Sequence, residues 1–261
     1  MERLLETIPR VSGASKGDTG RVGVIGGNVA YPGQPALAGL AALRTGTDVV
    51  QLLVSEEIHA TVASYSPNLL TGRYLGTHFT EDALEDAFEL AEWADALVVG
   101  PGFVDPEPAA IRELIAETEI PVVVDATAIG PALGGGELAM ENTVFTPDSA
   151  EEAWIDDEYG SIEDFSTETD AVVALTGGTD VIVADGDRQT NETGTSALTV
   201  AGTGDTLTGI VASLLGQGLE RAEAAELGAW ILGKSGELAS TEYGTGVVAT
   251  DVIERVPDTI R

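Results

Sequence analysis

A glycine-rich turn near the C-terminal end carries the residues best suited to chemistry: Ala201-Gly202-Thr203-Gly204-Asp205-Thr206-Leu207-Thr208-Gly209. Gly202 and Gly204 let the backbone turn sharply and come close to a ligand. The amides that open the following helix lack intrahelical acceptors, and the helix dipole adds its attraction, so the turn is suited to cradle a phosphate. Asp205 falls in the first helical turn, where amides and dipole should keep its carboxylate ionised. Such a carboxylate can accept a proton from an attacking hydroxyl while the amides hold the charge that develops on phosphate. The plainer alternative is that Asp205 only neutralises the helix start. No Gly-Lys-Ser/Thr follows, which argues against a P-loop, and a dinucleotide fingerprint would follow a first strand instead.

Other chemistry is sparse. The chain has no cysteine, which excludes disulfides and thiolate metal sites, and its two histidines, His59 and His78, have no ligand-spaced partner and read as exposed polar residues. No protein-built metal site is expected. Gly26-Gly27-Asn28 lacks the third glycine of a dinucleotide turn and reads as a substrate-side turn. Asn191-Glu192-Thr193 fits a glycosylation acceptor, but no secretory signal precedes it.

The elements that must position these residues alternate along the chain. Apolar patterning predicts strands at 21–25, 48–54, 96–99, 120–125, 143–146 and 172–175, and a hairpin of 181–184 with 188–191 about Asp185-Gly186-Asp187. It predicts helices at 35–45, 56–63, 81–93, 106–117, 203–217 and 221–240, and a last one N-capped by Thr250 and ending near Ile260. The acid-rich stretch 155–169 reads as a surface segment. No internal repeat or long linker divides the chain, so residues 1–261 are expected to form one domain. The expected fold class is α/β, with a mostly parallel central sheet and helices on both faces. In such sheets ligands sit beyond the carboxyl ends of the strands. That rule gathers Asn28, Gly102, Asp125, Asp148, Thr176 and Gly177 around one edge.

Several motifs, in one order, resemble those of the ADP- or ATP-dependent NAD(P)H-hydrate dehydratases. They are Lys16-Gly17-Asp18-Thr19-Gly20-Arg21-Val22, Gly26-Gly27-Asn28, Tyr31-Pro32-Gly33-Gln34-Pro35, Ala41-Ala42-Leu43-Arg44-Thr45-Gly46 and Gly100-Pro101-Gly102. Further along come Asp125-Ala126, Thr146-Pro147, Asn191-Glu192-Thr193-Gly194-Thr195, Gly202-Thr203-Gly204-Asp205 and Ala249-Thr250-Asp251-Val252-Ile253. The resemblance implies a ribokinase-like fold, related to carbohydrate kinases, and a repair reaction. In that reaction the hydroxyl of hydrated NAD(P)H is phosphorylated by ADP or ATP with Mg²⁺, and phosphate is then eliminated. It implies Asp205 as base, Gly202, Thr203, Gly204, Thr176 and Gly177 on the nucleotide side, and Asn28, Gln34, Gly102, Asp125, Asp148, Asn191 and Gly194 on the substrate side. A cytoplasmic homo-oligomer is implied as well, to which Trp230, Ile231 and Leu232 could contribute an interface or a core. The epimerase domain often fused at the N-terminus is expected to be absent.

Four departures bear on this. Thr176-Gly177 stands for the family's Lys-Gly, Asp148 for the histidine of Thr-Pro-His, Thr127 for the second aspartate of Asp-Ala-Asp, and Gln34 for the alanine of Gly-Ala-Pro. Loss of a cation should weaken phosphate binding, and Asp148 adds negative charge on the substrate side. A small-molecule kinase of the same fold and a non-catalytic nucleotide-binding protein use the same cradle and stay open as alternatives.

Charge sets the environment. The 44 acidic against 12 basic residues give a net charge of −32, and Lys16 and Lys234 are the lysines. Such a surface repels nucleic acid and anionic membranes, which need basic clusters. No apolar run is long enough to span a membrane. Self-repulsion of this size needs screening, which points to a salt-rich, halophilic cytoplasm. The thermal midpoint is therefore expected to rise between dilute buffer and concentrated KCl; a midpoint indifferent to salt would remove the halophilic reading.

Overall fold

The computed structural model describes residues 2–6, 8, 17–134 and 140–260, so Lys16 lies outside the described residues. The strands are β1 (Arg21–Ile25), β2 (Val49–Ser55), β3 (Leu69–Tyr74), β4 (Ala96–Val99), β5 (Val122–Val124), β6 (Thr143–Phe145), β7 (Val172–Leu175), β8 (Asp180–Ala184) and β9 (Asp187–Asn191). The helices are α1 (Glu2–Leu5), α2 (Gln34–Thr45), α3 (His59–Ala63), α4 (Leu84–Trp93), α5 (Pro108–Glu117), α6 (Ile129–Leu133), α7 (Glu152–Tyr159), α8 (Ile162–Thr169), α9 (Thr203–Gly216), α10 (Arg221–Tyr243) and α11 (Ala249–Thr259). Among the described residues the strands form a 9-stranded sheet in the order β3-β2-β1-β4-β5-β6-β7-β8-β9. Pairing is parallel from β3 to β7, and β8 runs antiparallel to both of its neighbours.

Alternation along each buried strand feeds two cores. Val98 and Val123 face a layer built from α2, α9, α10 and α11, through residues such as Ala38, Leu207, Ile231 and Val252. Leu97, Val99, Val122 and Val124 face the layer of α4 to α8, with Leu90, Leu114, Ile155 and Phe165. Ile231 and Leu232 are buried in the first layer and Trp230 packs against it, so these residues serve the core.

Sequence patterning missed or misplaced some elements. The segment 155–169 is not a plain surface stretch: it belongs to α7 and α8, whose Ile155, Ile162 and Phe165 are buried, and whose acidic residues form the outer faces. Edge strand β3 exposes Leu70 and Arg73 and lacks clean alternation, so its pattern carries no clear signal. The short α6, which contains Pro131, gave none either. Helix α3 starts only at His59, and β5 begins after Pro121, which has no amide to donate to a ladder. The last helix is capped at Val248, whose amide donates to Asp251 Oδ2 (2.9 Å), and not at Thr250.

Helix α9 carries the glycine turn, and its seat is tight. A Cβ on Gly209 would lie 2.0 Å from the Ala38 carbonyl oxygen of α2, so only glycine lets the two helices approach this closely. Gly209→Ala must push the helices apart and is expected to cost roughly 1–3 kcal/mol, as overpacking does, read as a lower urea midpoint.

Candidate functional site at the carboxyl ends of the strands

The strand order β3-β2-β1-β4 reverses direction between β1 and β4, which opens the crevice where doubly wound sheets bind ligands. Two turns meet there. The Gly27 amide donates to the Pro101 carbonyl (2.8 Å), and a Cβ on Gly26 would lie 2.3 Å from that oxygen. Gly102, with φ +75°, passes the Tyr31 carbonyl so closely that a Cβ would be 2.6 Å away, and the same Cβ would sit 3.1 Å from Gln34 Cβ. Gln34 opens α2 and is half-buried. The structure thus brings Gln34 and Gly102 together. Asn28 is buried, and its side chain holds the turn: Nδ2 donates to the Thr77 carbonyl (3.3 Å) and Oδ1 accepts the Ala30 amide (3.1 Å).

The cradle lies beside this crevice. Gly202 caps α9 with φ +95°, and a Cβ there would meet Leu37 Cδ1 at 2.6 Å and Ala249 Cβ at 2.9 Å. The turn is therefore wedged between α2 and α11. Thr206 N–H closes the first helical hydrogen bond to Gly202 (3.0 Å), which leaves the preceding amides without intrahelical acceptors. No heavy atom outside the neighbouring helix backbone lies within 4 Å of a Cβ built on Gly204, so the space on the Cβ side of this residue is open. The Thr203 hydroxyl is occupied by the Leu198 and Val200 carbonyls, both at 2.9 Å, and shapes the loop before the cradle.

Asp205 is only 9% exposed. Its own backbone amide lowers its pKa, but burial dominates and pushes it up to about 6, with the Glu151 charge adding to the rise. The dipole and amides alone would keep it an ordinary carboxylate; its position under the protein surface overrides them. Asp125, at the end of β5, is more deeply buried, and desolvation together with the Asp205 charge pushes it up to about 7. Its Oδ1 accepts the Thr146 hydroxyl at 2.9 Å, and Thr146 Oγ1 lies 3.2 Å from Thr208 Oγ1 on α9. Burial also raises Glu151, to about 7, with Asp125 and Asp148 contributing.

Three of the four departures from the family pattern, Asp148, Thr176 and Thr127, acquire local explanations. Asp148 Oδ1 accepts the amides of Ala150 (2.7 Å) and Glu151 (2.9 Å), and Glu151 Oε2 accepts the Asp148 amide (3.0 Å). These reciprocal hydrogen bonds fix the turn that leads into α7, so Asp148 is held by its own turn and is exposed. Thr176 donates its amide (2.9 Å) and hydroxyl (3.3 Å) to the Pro147 carbonyl, which ties β7 to that turn. Thr127 Oγ1 donates to the Phe103 carbonyl at 2.8 Å. For Gln34 the structure gives only its Cβ beside Gly102 and no local explanation of the change.

Asn191 and Gly194 lie farther round the edge, in a strap along α10. Asn191 Nδ2 donates to Asp180 Oδ2 (3.0 Å), Asp180 Oδ1 accepts the Gly177 amide (3.1 Å), and Asn191 Oδ1 accepts the Thr193 hydroxyl (2.9 Å). The Gly194 amide donates to Glu237 Oε1 (3.1 Å), and Lys234 pairs with Glu237 at 2.7 Å. Sequence reasoning gave no role to Glu151, Asp180 and Glu237, and it quoted Thr146 and Thr208 within the Thr146-Pro147 and glycine-turn motifs without assigning them one. The Asp-x-x-Glu spacing of 148 and 151 is a turn signature that could have found Glu151; Asp180 and Glu237 are isolated polar residues with no local signal. The histidines make only backbone contacts, His59 with Thr71 O (3.1 Å) and His78 with Val104 O (2.8 Å). Among the described residues no helix is long and apolar enough to cross a membrane.

A doubly wound sheet with a capped, glycine-led helix and a buried aspartate at its carboxyl edge defines a ribokinase-like α/β protein. A ribokinase-like superfamily protein of Enterococcus faecalis has the same fold, with a TM-score of 0.85 at 22% identity, covering 100% of this chain and 94% of that one. The family model described as NAD(P)H-hydrate dehydratase matches residues 22–258, and the chain belongs to that family. The ADP-dependent (S)-NAD(P)H-hydrate dehydratase of Natrialba magadii is 60% identical over 261 residues, covering 100% of both chains. An ADP/ATP-dependent NAD(P)H-hydrate dehydratase from Bacillus subtilis, co-crystallized with ATP/Mg²⁺, superposes with a TM-score of 0.81 at 24% identity, covering 100% of this chain and 97% of that one.

Because Asp125 binds its proton more tightly folded than unfolded, stability is lost as pH rises from its ordinary 3.8 through about 7. Asp125→Asn keeps an acceptor for Thr146 and carries no charge. Its gain in melting temperature over the parent is expected to be larger at pH 8 than at pH 5, as thermal melts at the two values will show.

Proposed function

We propose that this protein dehydrates the S form of hydrated NAD(P)H at the expense of ADP, returning the reduced nicotinamide cofactor in a cytoplasmic repair step. The observation that carries the reading is Asp205, buried in the first turn of α9 directly after Gly204, whose Cβ side is open space. The 60% identity over the full length to an enzyme named as ADP-dependent supports ADP over ATP as the donor. The nucleotide phosphates rest on the amides of Gly202, Thr203 and Gly204, with Thr176 and Gly177 flanking them. The nicotinamide side enters the crevice between β1 and β4, past Gln34 and Gly102, with Asp148 at the rim.

The ring hydroxyl gives its proton to Asp205 as its oxygen attacks the terminal phosphorus, and AMP leaves with the bridging oxygen. Phosphate is a far better leaving group than hydroxide. In the second stage the carbon–oxygen bond breaks, phosphate departs with the electron pair, and loss of a neighbouring ring proton forms the double bond. Among the described residues no three His, Cys, Asp or Glu are placed to hold a metal ion. The site fits Mg²⁺ only as an ion carried on nucleotide oxygens and water, where it neutralises phosphate charge when bound. Asn28, Asn191 and Gly194 act by fixing the walls of the site, since their polar groups are engaged within the protein.

Hydrated NADH incubated with the protein, ADP and Mg²⁺ in high salt is expected to regain reduced-nicotinamide absorbance. Asp205→Asn should keep ADP binding and slow turnover at least ~10²-fold. The parent kcat/KM should fall below about pH 6 as Asp205 takes up its proton. Phosphorylation of another alcohol without recovery of absorbance would instead make the protein a kinase, and full activity in Asp205→Asn would end the base role.

A further inference from the structure

The lip of the crevice carries apolar side chains for which the proposed reaction has given no use. Val29, Tyr31 and Leu75 are 58%, 50% and 70% exposed, on a chain whose net charge is −32. Tyr31 belongs to the crevice through its backbone: its carbonyl oxygen is the atom that a Cβ on Gly102 would meet at 2.6 Å, and Gln34 Cβ lies 3.1 Å from the same point. Among the described residues its ring makes no aromatic or cation contact, and its hydroxyl makes no hydrogen bond.

The two loops that present these side chains are held in place. Residues 28–31 close a turn, the Tyr31 amide donating to the Asn28 carbonyl (2.9 Å), and Pro32 restricts the backbone after it. Asn28 Nδ2 donates to the Thr77 carbonyl (3.3 Å) and joins this turn to the loop that follows β3. There the Ser55 hydroxyl donates to the Gly76 carbonyl (2.6 Å), the Gly76 amide to Glu56 Oε1 (3.2 Å) and the Thr77 hydroxyl to Glu57 Oε1 (3.1 Å). An exposed aromatic ring on an ordered turn loses little conformational freedom when a flat partner settles on it. Glu56 and Glu57, bonded to the second loop, disfavour a phosphate beside it, so the lip suits an uncharged ring.

We propose that Tyr31 is a substrate-specificity residue whose ring stacks on the adenine of hydrated NAD(P)H, on the lip that also carries Val29 and Leu75. The inference rests on the reading that a hydrated nicotinamide dinucleotide enters past Gln34 and Gly102. Such a molecule carries two bases. The hydrated ring is puckered and must lie with its hydroxyl toward Asp205; adenine is flat and lies at the other end of the dinucleotide, which extends outward over the lip. Tyr31 is an exposed aromatic side chain whose own backbone forms part of the crevice wall. Stacking there adds affinity without touching the reacting atoms, so it acts on KM and leaves the phosphoryl step alone.

The experiment compares two substrates of the full chain in high salt with ADP and Mg²⁺: hydrated NADH, and the hydrate of reduced nicotinamide mononucleotide, which lacks the adenosine half. In Tyr31→Ala the ratio of kcat/KM for the dinucleotide to that for the mononucleotide is expected to fall ~10-fold, through KM, as loss of a base–aromatic stack implies. Tyr31→Phe, which keeps the ring, should retain most of the ratio. An unaltered ratio in Tyr31→Ala, an equal loss on both substrates, or a Tyr31→Phe variant that behaves like alanine would overturn the proposal. So would sedimentation showing that Tyr31→Ala breaks up an oligomer of the parent, since the lip would then belong to a second copy of the chain. Should the parent dehydrate neither hydrate, calorimetry with NADH and reduced nicotinamide mononucleotide decides. A parent preference for NADH that Tyr31→Ala loses would uphold the stacking and count against the functional reading alone, whereas no such preference would overturn the stacking as well.

Discussion

The structure is organised around an electrostatic constraint: the glycine turn that opens α9 and two buried carboxylates, Asp125 and Asp205, share one corner, and neither carboxylate joins an ion pair among the described residues. Backbone amides at the start of α9 supply the positive end of a dipole, and the apolar layers on either side keep water from weakening it. The same low polarity raises both Asp205 and Asp125 against the amides and hydroxyls that lower them. A carboxylate poised near neutrality is a better proton acceptor for an alcohol than an ordinary surface aspartate.

That balance depends on close packing more than on particular polar contacts. Gly209 lets α9 press on α2, Gly202 lets the cradle slot between α2 and α11, and Gly100 leaves room for the Asp125 carbonyl. Each contact is between a missing Cβ and another segment's backbone or side chain, so the positions of Asp205 and Asp125 are fixed by three independent approaches. The threonines at 146 and 208 then join the strand side to the helix side inside a region where unpaired hydroxyls would be costly.

An acidic protein of net charge −32 that receives a nucleotide faces an apparent contradiction. The fold resolves it by distance and by the choice of donor. Surface carboxylates are screened by salt beyond roughly a Debye length, about 10 Å at 0.1 M and less in stronger salt, whereas amides at a helix start act at contact. Thr176, where the family pattern has lysine, fits this economy of cations: it ties β7 to the turn at Pro147. Lys234 pairs with Glu237, which in turn holds the Gly194 amide, so this lysine braces the strap beside the site.

Much of this was legible in the residues alone. Continuous apolar strands such as 96–99 and 122–124, crossover helices between them and the Gly202-Thr203-Gly204-Asp205 sequence mark the fold class and the glycine turn that opens α9, because periodicity and glycine placement are local properties of a chain. Order of motifs pointed to the family. What only the tertiary structure decided are the quantities set by neighbours distant in sequence. Among them are the burial that raises Asp205 against the pull of its own helix, the meeting of Asp125 with Thr146 and Thr208, and the turn that Asp148 holds ahead of α7. Helices α7 and α8 belong there too, since their apolar residues are few and their acidic faces dominate the pattern until a sheet is present to bury Ile155 and Phe165. A sequence records which groups a chain carries; desolvation and Coulomb interaction depend on what the fold brings beside them.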